Sequence, residues 1–220
     1  MALNPIEGQP GLFRDSDSGQ IVNIRDFRES DLYDTLIIPA DVALPAGSEF
    51  LFFADVAGKR DIDTNFKTQR KLSAGMSMVL DRVGLYIRLA LGNTLAIPSD
   101  IKKVSDNAYF RLTVNGILLD EGPAVKFPSG IGLYGQTTEA NQGIVSIGVP
   151  ATASASKLVK KQLLNQNHEI EGALRFDART WTSAINPLGA AGPAVANPTL
   201  TEPIAVTCLL HGLVRAAVTK

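Results

Sequence analysis

The most constraining stretch of the chain is Ala108-Tyr-Phe-Arg-Leu-Thr-Val-Asn-Gly-Ile-Leu-Leu-Asp-Glu-Gly-Pro123. Tyr109, Arg111 and Thr113 alternate with Phe110, Leu112 and Val114, so a strand here has one mixed and one apolar face. Asn115-Gly116 follows at once, and Ile117, Leu118 and Leu119 resume the apolar run. Asn and Gly accept the positive φ angles of a tight type I′ turn, whose twist matches that of the strands it joins. The pattern predicts a β-hairpin over roughly residues 108–120. Downstream, Phe127-Pro-Ser-Gly-Ile-Gly-Leu-Tyr-Gly135 reads as a Gly-rich turn carrying large apolar side chains.

Other segments share the period of two. Thr35–Pro39 reads as a short strand and Glu49–Asp55 as a second, with Leu51 and Phe53 on one face and Phe50 and Phe52 on the other. A strand apolar on both faces is expected to be covered on both. Over Ser77–Leu91, Val79, Val83, Leu85, Ile87, Leu89 and Leu91 share a parity that only Asp81 interrupts. Gly143–Val149 and His168–Phe176 read as further strands, and Lys157–Leu164 as a strand or a helical turn. At the C-terminus Ile204, Val206, Cys208, Leu210, Gly212, Val214, Ala216 and Val218 form one unbroken apolar or small face, predicting a central strand. Only Ser99-Asp-Ile-Lys-Lys looks like a helix start, good for about one turn.

Residues 1–30 hold isolated apolar positions at Leu12, Phe13, Ile21, Ile24 and Phe27. They read as an extended arm, with a short strand at Gln20–Arg25, or as a solvated tail. Residues 31–220 then form a single domain. With about eight to ten strands and connections too short for βαβ crossovers, the expected fold is an all-β antiparallel sandwich. Long connections at 55–75, 92–107 and 177–202 favour a jelly roll with elaborated ends.

The net charge is −1, from 21 basic and 22 acidic residues, which does not support a strongly basic nucleic-acid-binding surface. It also leaves little long-range repulsion between copies. The single cysteine, Cys208, excludes an internal disulfide and reads as a small buried hydrophobe. No apolar run is long and uncharged enough for a membrane helix, and the start of the chain lacks a secretory pattern, so folding in cytoplasm is expected.

Residues that carry chemistry are sparse. The two histidines, His168 and His211, fall on different expected strands and make no His-X-His ligand pair, which argues against a metal-binding cupin. His211 reads as a packing histidine. No Gly-X-Ser-X-Gly occurs, and Ser129-Gly130 has no partner base in sequence. Asp120, Glu121, Glu169 and Glu171 supply carboxylates, and the last two share a strand face, which reads as a solvated outer face before an acid–base pair. Asp15-Ser-Asp-Ser-Gly19 lacks the remaining ligands of a calcium loop. Trp181, near Asn186, fits sugar stacking, an interface or plain packing. No catalytic, cofactor-binding or metal-ligating residue is assigned.

Four stretches together carry a family likeness: Tyr109-Phe-Arg-Leu-Thr-Val-Asn-Gly116, Gly122-Pro-Ala-Val-Lys-Phe-Pro-Ser-Gly-Ile-Gly-Leu133, Leu164-Asn-Gln-Asn-His-Glu-Ile-Glu-Gly172 and Val206-Thr-Cys-Leu-Leu-His-Gly-Leu-Val-Arg215. Over roughly residues 75–219 the chain resembles the jelly-roll capsid proteins of tailless icosahedral bacteriophages. The resemblance implies a structural virion protein of single jelly-roll size that self-assembles into symmetric oligomers. Its partners would be copies of itself and other capsid proteins, with no cofactor, no small-molecule substrate and no enzymatic activity. It would be assembled in host cytoplasm. The other reading of such a sandwich is a lectin-like or receptor-binding module on a virion or cell surface.

Overall fold

A computed structural model describes residues 3–16, 19–40, 47–89, 98–128, 152–176, 200 and 203–215. The described strands are β1 (Leu3–Pro5), β2 (Leu12–Asp15), β3 (Ile21–Asn23), β4 (Arg28–Ile38), β5 (Ser48–Phe52), β6 (Ser77–Leu89), β7 (Ala108–Val114), β8 (Ile117–Pro123), β9 (Ser156–Asn165), β10 (Ile170–Phe176) and β11 (Ile204–Arg215), with one helix, α1 (Pro98–Asn107). Eight of them make two four-stranded antiparallel sheets, β5-β10-β7-β8 and β4-β11-β6-β9. Counted from β4 as the first strand, the sheets run 2-7-4-5 and 1-8-3-6. That is the strand order of a jelly roll, an all-β sandwich of two facing sheets.

The expected hairpin is present as β7 and β8. Asn115 and Gly116 both take positive φ, +50° and +73°, as the type I′ turn requires. Asn115 Oδ1 accepts a hydrogen bond from the Glu169 N–H at 2.8 Å, tying the turn to the start of β10. Space around Gly116 is open, so a Cβ there would meet only backbone strain. Gly116→Ala is expected to cost about 1–2 kcal/mol, read as a lower urea midpoint at unchanged slope.

The core lies between the sheets. From β7 come Phe110, Leu112 and Val114; from β10, Ile170, Leu174 and Phe176; from β11, Ile204, Val206, Cys208, Leu210 and Val214. Aromatic rings run through it edge to face, with Phe110 at 6.0 Å from Phe52 and 5.0 Å from Phe127. As its sequence implies, β11 is internal to its sheet, with β4 and β6 on either side.

Several elements differ from the sequence reading. β4 starts at Arg28 rather than Thr35, because its charged first half pairs with β11 while a loop covers its other edge. β5 is not covered on both faces: Phe52 enters the core while Leu51 is exposed. Phe53 leaves the strand in the left-handed region, φ +64°, which turns its ring inward against Phe66 at 4.6 Å. α1 is 10 residues long where one turn was expected, seated by buried Ile101 and Val104. Lys157–Leu164 is strand, within β9.

The parity of β6 is also broken. Asp81 has no partner in either ladder: His211 pairs with Arg82 and Gly212 with Leu80. Asp81 is therefore the extra residue of a β-bulge, and the bulge exchanges the two faces. Val83 and Leu85 face the core after it, whereas Met78 and Leu80 do so before it. Val79 is thereby sent to the outer face.

There it meets the N-terminal residues. Instead of an arm with one short strand, β1, β2 and β3 form a three-stranded antiparallel sheet. Leu3 and Val22, with half-buried Phe13 and Phe27, pack on Val79, Leu163 and Leu213. The sparse apolar residues suffice because they add to a patch that the bulge exposes. The expected strand at Gly143–Val149 and, apart from buried Leu200, the long connection at 177–202 lie outside the described residues.

Candidate functional site

The loop after β5 is held by a buried carboxylate. Asp34, on β4, has no solvent exposure, and its Oδ2 accepts the Phe53 N–H at 2.7 Å. Its Oδ1 lies 2.8 Å from Lys59 Nζ, which also donates to the Thr35 carbonyl at 2.7 Å. The loop then runs along the free edge of β4. Asn65 accepts from the Tyr33 N–H and donates to the Asp31 carbonyl, both at 2.8 Å, and the Asn65 N–H donates to the Tyr33 carbonyl. An open edge of backbone donors and acceptors is thus occupied from within the chain. Arg60, and then Arg88, hold the Asp63 carboxyl below its ordinary range, with the Arg60 hydrogen bond the larger cause.

On the outer face of the β4-β11-β6-β9 sheet, the Thr35 and Thr207 hydroxyls meet at 2.8 Å. Four residues further along β11, His211 is only 2% exposed, with Nδ1 2.8 Å from Asp31 Oδ1. The packing role expected for His211 is met at one ring nitrogen, while Nε2 is buried without a hydrogen-bond partner. His168 accepts the Asn165 N–H at 3.2 Å in the turn before β10, so the structure does not bring the histidines together.

Three of the four carboxylates that sequence suggested are paired with cations. Arg70 Nη1 lies 3.2 Å from both Glu169 and Glu171, and Asp120 is paired with Lys126. Asp15 closes the β2–β3 connection through its carbonyl, which accepts the Gly19 N–H at 2.9 Å. Cys208 is fully buried; burial first, and Asp34 second, push its thiol well above the ordinary range. One thiol is expected to react with Ellman's reagent only after denaturant is added, whereas reaction at native conditions would place it at the surface. Among the described residues no three His, Cys, Asp or Glu side chains are grouped for a metal ion. Ser129, Trp181 and Asn186 lie outside the described residues.

Large apolar side chains, by contrast, stand in water. Ile117 and Leu118 are exposed on β8, an edge strand, followed by Val125. Val159 is 100% exposed on β9, the adjoining edge of the other sheet, between Lys157 and Lys160. Ile37, Leu51, Ile62 and Tyr109 add to these. A groove of about 670 Å³ beside the loop is lined largely by polar groups, among them Lys59, Asp61, Thr64, Lys67 and Lys71. The chemistry on offer at these surfaces is burial against another surface. No known family model and no curated protein matches this sequence.

Nothing in local sequence marks Asp31 or Asp34 as structural residues. The one available signal was at Asp81, where a charge interrupts an otherwise regular apolar parity.

Proposed function

We propose that the chain is a structural virion protein, a capsid jelly-roll subunit that self-assembles into symmetric oligomers with copies of itself and other capsid proteins. The observation that carries this reading is the pair of four-stranded sheets in jelly-roll order whose edge strands, β8 and β9, leave Ile117, Leu118 and Val159 exposed. The fold alone does not specify a function. It supplies a rigid block, and exposed apolar residues beside paired charges suit contacts that symmetry repeats. The likeness of four sequence stretches to phage capsid proteins supports the same assignment, and with it a place in the virion.

Size-exclusion chromatography with light scattering tests it. The chain is expected to run as defined oligomers or larger shells. The double variant Ile117→Asp/Leu118→Asp is expected to shift it toward monomer. Substitutions at such exposed positions usually change stability by no more than about 0.5 kcal/mol, so lost association would report an interface. A monomer at all concentrations that is retained on a glycan column would support a lectin-like module instead.

A further inference from the structure

On the outer face of the β4-β11-β6-β9 sheet, two rows of residues cross β11, β6 and β9. Leu213, Val79 and Leu163 are cross-strand neighbours, and they seat the N-terminal sheet. Two residues further on, at the end of the sheet, Arg215, Ser77 and Asn165 form the next row on the same face. This row is polar where the first is apolar. Asn23 of β3, with Asp26 and Phe27 after it, faces the polar row across a cavity of about 170 Å³.

Ser77 marks this cavity as more than a packing gap. Its hydroxyl oxygen is buried, with no hydrogen-bond partner among the described residues. A buried hydroxyl left unpaired is costly, so a partner offered from within the cavity is favoured. Asn23 and Asn165 use their amide oxygens locally, accepting from the Arg25 and Asn167 N–H groups at 3.1 and 3.0 Å. Backbone donors thus fix which end of each amide is oxygen, and the NH₂ end is what each has to offer a ligand. Asp26 adds acceptors, Arg215 adds donors, and Ser77 serves as either. One carboxylate and one guanidinium cancel, so the lining does not select an ion. The Arg215 guanidinium lies 5.6 Å from the centre of the Phe27 ring, which gives the cavity an aromatic wall.

We propose that this cavity is a binding site for a single neutral sugar ring. Sugar hydroxyls donate and accept at once, which matches donors and acceptors converging from Asn23, Asp26, Ser77, Asn165 and Arg215. The C–H faces of the ring suit Phe27 and Leu163. The volume is below the roughly 300 Å³ at which pockets for larger ligands begin, so one ring enters and a chain of them does not. A ring held here bridges the N-terminal sheet to β6, β9 and β11, and its binding tightens that seat. The inference does not depend on assembly: an assembled chain with this site gains a second function, and either reading can fail alone.

Saturation-transfer NMR on the full chain, with a panel of free hexoses and N-acetylhexosamines, tests it. At least one sugar is expected to bind saturably, with the amide shifts of Asn23, Phe27, Ser77 and Asn165 following the same titration. Asp26→Ala, at an exposed position, and Ser77→Ala, which removes an unpaired hydroxyl, should each leave the urea midpoint nearly unchanged. Each should weaken sugar binding at least about tenfold. No saturable binding by any sugar in the panel, or binding that survives both variants, would overturn the proposal. So would tighter binding of acetate than of the sugars, since the site would then be one for anions. Should one variant fail to fold, the other variant and the amide shifts decide it.

Discussion

Gly212→Ala is expected to cost at least about 3 kcal/mol and to give a chain that unfolds at markedly lower urea. At this point the β6 bulge draws two backbones together. A Cβ on Gly212 would fall inside the van der Waals shell of the Val79 carbonyl oxygen, and 3.2 Å from Leu80 Cα. Both obstacles are main chain in the centre of a sheet, so no side chain can swing aside. Accommodation would require β6 and β11 to part beside the bulge, with loss of ladder hydrogen bonds on either side of Asp81. A crowded side chain would have yielded for less. Chemical denaturation of the variant against the parent measures the cost directly, and a change under about 1 kcal/mol would show that the two strands do not approach as described.

Asp34→Ala is expected to destabilise by about 3 kcal/mol, the lower end of the cost of breaking a buried ion pair. Lys59 is partly exposed and can turn its ammonium to water, which limits the penalty on that side. The Phe53 N–H has no such escape and is left buried and unpaired, in a residue already held at positive φ. The damage should concentrate in the loop. Amide exchange at Phe53, Asn65 and Phe66 is expected to rise by more than exchange at Phe110 or Leu174 in the opposite sheet. Uniform loss of protection would mean that the loop and the sandwich open as one unit. Asp34→Asn should recover part of the loss, since its amide oxygen can still accept from Phe53.

The sandwich was legible because its strands obey a period of two and its tightest turn is written as Asn115-Gly116. The internal position of β11 followed from one uninterrupted apolar face of alternate residues. What could not be read depends on residues that break the period for tertiary reasons. Asp81 looks like a stray charge in a strand, and only the two ladders beside it reveal that it is an inserted residue. By alternation Phe53 shares the face of Leu51, yet its backbone leaves the strand and turns it inward while Leu51 stays exposed. The N-terminal sheet has too few apolar residues to be recognised alone, because half of its small core is supplied by Val79, Leu163 and Leu213. His211 was correctly placed as a buried side chain, but its partner Asp31 lies 180 residues earlier, in a stretch that sequence gave no reason to call strand.

Negative-stain electron microscopy of the purified protein tests the central claim most directly, since a subunit built to meet its own copies should be seen doing so. Closed particles or rings of uniform diameter are the expected result, dispersed by Ile117→Asp/Leu118→Asp. A field of separate single-chain particles, unchanged by raising the protein concentration, would contradict it.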